Sequence, residues 1–238
     1  MSSGWACYHR HVLWGFLELL FGTGIRVSEA MWLQVKHLKL VPVTNRYQEA
    51  WDRTPETWDD DGVDAYKGTS FPLQNGKLLE YRVQVAPDNG GLKQADHART
   101  VIPTANFSER FVLHLGFLAG HFRTVLGDHI EGYNDLPRDL FLFPNPRGER
   151  LKSMRRSFGE LLDAAISPNH PEGLRKKDGK ARPLSSIRHT YASKQIETGA
   201  TRVSVGFLAD NMGTSTEMIR KHYGQALREL RAEDLQNY

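Results

Sequence analysis

A chain of 238 residues with 39% hydrophobic and 10% aromatic content is long enough to bury a substantial core. Lys and Arg total 31 against 28 Asp and Glu, and the resulting net charge of +3 is too small by itself to mark a nucleic-acid partner. The single cysteine, Cys7, excludes an internal disulfide and fits a reducing compartment, while no apolar run spans a bilayer and no signal peptide precedes the first helix, so a cytoplasmic, nucleoid-associated protein without membrane contact is expected.

Tyr8, Val12, Leu13, Phe16, Leu17, Leu19 and Leu20 recur at helical spacing and predict a long first helix ending at Gly22 or Gly24. Helical periodicity restarts over Val27 to Leu33, which sets Arg26 at a helix start, where backbone N–H groups favour an anion. Residues 41–76 carry prolines, Trp51, Trp58 and a run of acidic side chains with little periodicity, and are expected to be an irregular acidic insertion. Leu78 to Val85 and Arg99 to Pro103 predict strands joined across Pro87-Asp88-Asn89-Gly90-Gly91, a small antiparallel sheet with Lys93 in its connection. Further helices are predicted over Phe111 to Val125, Ser153 to Ala165, Ser186 to Gly199, Ser204 to Asn211 and Thr216 to Tyr223, with a short extended segment at Phe141 to Pro146. A tail helix over Gln225 to Leu235 bears one apolar stripe. The expected fold class is therefore α+β, mostly helical with a small antiparallel sheet, in one domain covering residues 1–238.

Two arginine motifs stand at opposite ends of the chain, Gly22-Thr23-Gly24-Ile25-Arg26-Val27-Ser28-Glu29 and Ile187-Arg188-His189-Thr190-Tyr191-Ala192-Ser193, and Lys221-His222-Tyr223-Gly224 follows the second. Two guanidiniums can hold the oxygens of one phosphate in fork geometry while a tyrosine hydroxyl attacks the phosphorus. Each part also has an ordinary reading: Arg26 as a salt bridge to Glu29 or Glu18, and Tyr223 as a packed aromatic with a hydrogen-bonded hydroxyl. Arg147, Arg150, Lys152, Arg155, Arg156, Arg175, Lys176, Lys177, Lys180 and Arg182 form a basic stretch suited to a DNA backbone, or to a solvated face. Scattered histidines, with His9 and His11 expected at the surface, offer no metal-ligand spacing, so neither a metal nor a cofactor is expected.

In order, spacing and flanking residues these segments resemble the catalytic domain of the tyrosine recombinases, the phage-integrase family, from about Val12 to Leu230. The resemblance makes Arg26 and Arg188 the phosphate clamp, Glu29 the acidic residue supporting it, and Tyr223 the nucleophile. Lys93, upstream of Arg99-Thr100-Val101-Ile102-Pro103, takes the place of the family's general acid, with Lys77 as the substitute. Two positions depart from the family pattern: Ser185 stands where a histidine is usual, and Thr214 where a histidine or tryptophan is usual. Ser185 is a poor base, Thr214 can still donate to a phosphate oxygen, and His189 and His222 are nearby candidates for proton handling. The resemblance implies cleavage and rejoining of double-stranded DNA through a 3′-phosphotyrosyl intermediate. It also implies a homotetramer on DNA assembled through the tail at residues 225–238, and a chain without the family's N-terminal core-binding domain. A catalytically weakened DNA-binding protein of recombinase descent and a type IB topoisomerase-like DNA-relaxing enzyme are the alternatives.

Overall fold

The computed structural model describes residues 3–42, 73–74, 77–86, 98–104, 107–166, 173–176, 178–199 and 204–224. Apolar side chains three and four residues apart wind into α1 (Ser3–Thr23), which buries Tyr8, Val12, Leu13, Phe16, Leu19 and Leu20. The helix stops at Gly24, whose φ of +63° suits glycine; a Cβ there would also stand 2.2 Å from the ring of Tyr191. One turn of helix, α2 (Val27–Ala30), follows immediately and ends short of the predicted Leu33.

The sheet is antiparallel and centred on β3 (Lys77–Val85). β1 (Leu38–Pro42) pairs along it from Leu38 opposite Val83 to Pro42 opposite Leu79, and β4 (Arg99–Val101) pairs with its end, Val85 opposite Arg99. A two-residue β2 (Leu73–Gln74) pairs with Leu78 and Lys77. Both edges of the predicted 41–76 insertion therefore belong to the sheet; its remaining residues lie outside those described. On β3 the alternation of Leu79, Tyr81, Val83 and Val85 buries one face, as a period of two requires.

The other elements are α3 (Phe107–Leu126), α4 (Arg155–Ala164), α5 (Ser186–Gly199), α6 (Val205–Met212) and α7 (216–224). The chain is thus α+β and mostly helical with a small antiparallel sheet. One hydrophobic cluster joins α1, α3, α4 and the buried face of the sheet. A second, smaller one gathers Tyr191, Ala192 and Ile196 of α5, Leu208, Ala209 and Met212 of α6, and Ile219 of α7, with Tyr223 packed against it. Among the described residues no helix is long and apolar enough to cross a membrane.

His114 sits fully buried where α3 meets α1, above Gly15, where a Cβ would come within 2.3 Å of its ring. The Leu142 carbonyl 2.7 Å from Nε2 can only accept, so Nε2 carries the hydrogen, and the buried Nδ1, which meets no acceptor among the described residues, favours the neutral ring. His11, expected at the surface, instead stacks its ring on Phe117 at 3.8 Å, because the α1 face it occupies is covered by α3. Burial, with a smaller push from His11, lowers the pKa of His114 from 6.5 to about 4, against the pull of the Leu142 hydrogen bond. An unfolded chain takes up this proton near pH 6.5 and the folded one only near 4. Stability contributed by a neutral His114 is therefore full above that window and lost as pH falls through it, by about 1.4 kcal/mol per pH unit. Urea midpoints measured between pH 7 and 4 should show this slope, and His114→Gln, which keeps a donor for Leu142 but gains no proton, should flatten it. An equal slope in the variant would assign the acid sensitivity elsewhere.

Candidate active site

The last carbonyls of a helix have no partners within it. At the end of α6 they are taken by three arginines from three separate parts of the chain. Arg99 Nε donates to the Asn211 carbonyl at 3.0 Å and Arg99 NH2 to that of Met212 at 3.0 Å. Arg188 NH1 donates to Met212 at 2.7 Å and to the Gly24 carbonyl at 2.7 Å, while Arg26 NH2 donates to Gly213. The negative end of the helix dipole favours all three cations. Gly213 makes this convergence possible. It holds φ at +65°, and any Cβ would strike the Arg99 guanidinium at 2.4 Å. Thr214 closes the cap by donating its N–H to the Ala209 carbonyl at 2.9 Å.

Glu29 balances the cluster. Its side chain is 1% exposed, and its two oxygens accept four bonds. Arg99 grips it as a fork, NH1 to Oε1 at 3.3 Å and NH2 to Oε2 at 2.9 Å. Arg26 adds NH1 to Oε1 at 2.8 Å and its backbone N–H to Oε2 at 2.9 Å. The latter bond means that the backbone N–H expected to greet an anion at Arg26 is already held by Glu29. Burial alone would raise the Glu29 pKa, but the hydrogen bonds and charge of Arg99, helped by Arg26, bring it below the ordinary carboxylate value. The salt bridge from Arg26 to Glu29 is therefore real, while Glu18 pairs with Arg110 at 2.7 Å.

Arg188 is pulled down to about 10 by burial and by repulsion from Arg26 and Arg99, with Glu29 and Tyr223 opposing. It stays a cation at neutral pH. Only its NH1 is spent on carbonyls; among the described residues Nε and NH2 have no acceptor, so one edge of the fork remains for a ligand. Burial holds the pKa of the half-buried Tyr223 hydroxyl above its ordinary value against the smaller pull of the nearby Arg188 charge, and the hydroxyl lies 2.6 Å from His189 Nδ1. Asn211 fixes the frame. Its amide accepts from Ile102 N at 2.7 Å and donates to Ile102 O and to the Tyr191 hydroxyl at 3.0 Å each, tying α6 to the segment after β4 and to α5.

Beside the cluster runs a groove of about 710 Å³ whose walls follow Arg26, at Val27, Ser28 and Trp32, and precede Arg188, from Arg182 to Ser185. Arg150, Lys152, Arg155 and Arg182 line it over an apolar floor that includes Met154 and Phe158. Arg150 lies 3.9 Å over the Trp32 ring, a cation–π contact that holds the guanidinium at the rim. Ser185 is exposed in this groove, without a side-chain hydrogen bond to Tyr223 among the described residues.

The other basic candidates are dispersed. Arg156 points away and pairs with Glu160 at 3.1 Å, Lys180 pairs with Asp178 at 3.1 Å, Arg175 is held by Asp163, and Lys176 is exposed. Exposed pairs of this kind contribute little stability and leave the cations available to solvent or ligand. Lys93, Lys177 and the tail at 225–238 lie outside the described residues, and of the Lys77 side chain nothing is described although β3 begins there. Among the described residues no three His, Cys, Asp or Glu side chains are grouped to hold a metal ion. Arg99 was legible only as part of a strand signature, and its depth in the cluster was not foreseen. No sequence signal marks it, because the burial of Glu29, which calls for more than one arginine, is set by tertiary packing. Comparisons with protein-family models, with curated proteins and with solved structures return no match to this chain.

Proposed function

We propose that this chain is the catalytic domain of a tyrosine recombinase that cuts and rejoins double-stranded DNA through Tyr223. The observation that carries the reading is the meeting of Arg26 and Arg188, remote in sequence, at the carbonyls that close α6, with Tyr223 near enough for the Arg188 charge to act on it. In this reading the open edge of Arg188 and the Arg26 guanidinium hold the non-bridging oxygens of the scissile phosphate. Fixed cations aimed at charge that grows in the transition state are each worth about 10²–10³ in rate. Glu29 and Arg99 are positioning residues, since they hold the clamp rather than touch the phosphate. Thr214, one residue beyond the cap glycine, stands close enough in sequence to the clamp to offer a hydroxyl donor. Lys93 retains its role as general acid from the resemblance, and the antiparallel pairing of β3 with β4 supports the hairpin expected to carry it. The cationic groove beside the clamp suits a DNA backbone, with Arg150, Lys152, Arg155 and Arg182 as its contacts. Assembly as a ring of four through residues 225–238 belongs to the same proposal.

The test is covalent trapping. Purified protein is incubated with a pool of nicked duplexes carrying randomised sequence around the nick, so that a cut releases a short strand and stalls rejoining. A protein–DNA adduct that survives denaturation, maps to Tyr223 through a 3′-phosphate and forms in EDTA is the expected result. Binding without any adduct would instead identify a DNA-binding protein of recombinase descent. Relaxation of supercoiled DNA with no preference among sequences would identify a topoisomerase.

A further inference from the structure

Arg188 and His189 are neighbours on α5, and successive helix positions diverge by about 100° around the axis. The first side chain turns inward to the carbonyls of Gly24 and Met212, and the second turns outward to α7. There Nδ1 of His189 meets the hydroxyl of Tyr223 at 2.6 Å. The phenol must be the donor in this bond if the imidazole is neutral, which leaves the imidazole hydrogen on Nε2 and a lone pair on Nδ1 aimed at the proton that Tyr223 has to lose. His189 is exposed, so a proton it accepts can pass on to water. The charged and titratable groups that face the pair are Arg188, whose charge acts on Tyr223, and His222, whose ring lies edge-on 5.9 Å from that of His189. Neither accepts from Tyr223 among the described residues, and Ser185 does not reach it.

We propose that His189 is the general base of the cleavage step, filling the role that Ser185 cannot. This rests on the recombinase reading. As the Tyr223 oxygen forms its bond to phosphorus, its proton moves to His189 Nδ1. The bond from phosphorus to the 5′ oxygen breaks, the electron pair leaves on that oxygen, and a general acid protonates it to a 5′ hydroxyl. In rejoining, the 5′ hydroxyl gives its proton back to the deprotonated general acid and attacks phosphorus, the bond from phosphorus to Tyr223 breaks, and the departing phenolate takes a proton from His189. Arg188 assists both directions by favouring the phenolate.

The decisive variant is His189→Asn. The Asn side-chain oxygen falls near the place of Nδ1 and accepts the same hydrogen bond, yet it cannot carry a proton. Adduct formation on the nicked pool should slow by about 10²–10⁴-fold, while the gel shift on the same DNA stays at the wild-type level. The pH profile of wild-type cleavage should carry an acid limb that the Asn variant lacks. A second substrate with sulfur in place of the bridging 5′ oxygen needs no acid for departure, so the His189→Asn defect should persist on it and a Lys93→Ala defect should vanish. Wild-type speed with an unchanged acid limb in His189→Asn would overturn the base and leave the recombinase standing. Rescue of His189→Asn by the sulfur substrate would overturn it too, moving the defect to the leaving group. No wild-type adduct on either substrate would overturn both readings together, and the gel shift would show whether DNA binding survives.

Discussion

Tyr223→Phe is expected to abolish covalent attachment to DNA and to leave both fold and DNA binding intact. The substitution removes one oxygen. The ring remains packed against the cluster of Tyr191, Ile196, Met212 and Ile219, and the hydrogen bond it gives up, to His189, is partly exposed. A bond of that kind contributes about 0.5–1.5 kcal/mol net, too little to unfold a domain. The loss of reaction should be complete because the phenol oxygen is the nucleophile of the proposed reaction. Tyr191 is the nearest rival in sequence, but it is 5% exposed and its hydroxyl is engaged by Asn211 Nδ2 at 3.0 Å inside the core. Burial also raises its pKa, so its phenolate is disfavoured further. The measurement is a denaturing gel of the trapped complex beside a native gel of the same mixture. An adduct that persists in Tyr223→Phe would remove the nucleophile from α7.

Local pattern made most of the elements readable. α5 matches its predicted bounds, Ser186 to Gly199, because Pro183 precedes it and a glycine ends it, both local signals. β3 was readable from strict alternation. β1 was not: Lys39 and Pro42 interrupt its pattern, none of its residues is fully buried, and its pairing with β3 forms it. The same division holds at the site. Arg26, Arg188 and Tyr223 could be named from motifs, whereas Arg99 joins Glu29 across 70 residues and the end of α6 across more than a hundred, contacts no local spacing encodes. His189 could be named as a neighbour of Arg188 but not chosen over His222. Only the distance to Tyr223, set by how α5 packs on α7, separates them.

Glu29→Gln is expected to be the most destabilising single change near the site, by about 3–5 kcal/mol. The carboxylate is buried and its four accepted bonds are all from arginine. Glutamine has the same shape, but it brings two N–H donors toward guanidiniums and removes the buried negative charge that Arg26 and Arg99 share. Arg99, whose side chain is 11% exposed, cannot recover the deficit from water. Against a typical total of about 5–15 kcal/mol this is a large share. Urea unfolding at pH 7 measures it, and pairing the change with Arg99→Gln should give a loss smaller than the sum, since both remove one contact. The pH dependence supplies an independent check. Because Glu29 is held below the ordinary carboxylate range, its contribution is present above about 4.5 and is lost only as pH falls through its lower folded value. His114 loses its share earlier, between 6.5 and about 4. The gap between wild type and Glu29→Gln should therefore stay constant over most of the His114 window, down to about pH 4.5, and close only in stronger acid. A gap that narrows already between pH 6.5 and 5, or one below about 1 kcal/mol at pH 7, would mean that the three arginines are satisfied by the carbonyls of α6 and by solvent rather than by Glu29.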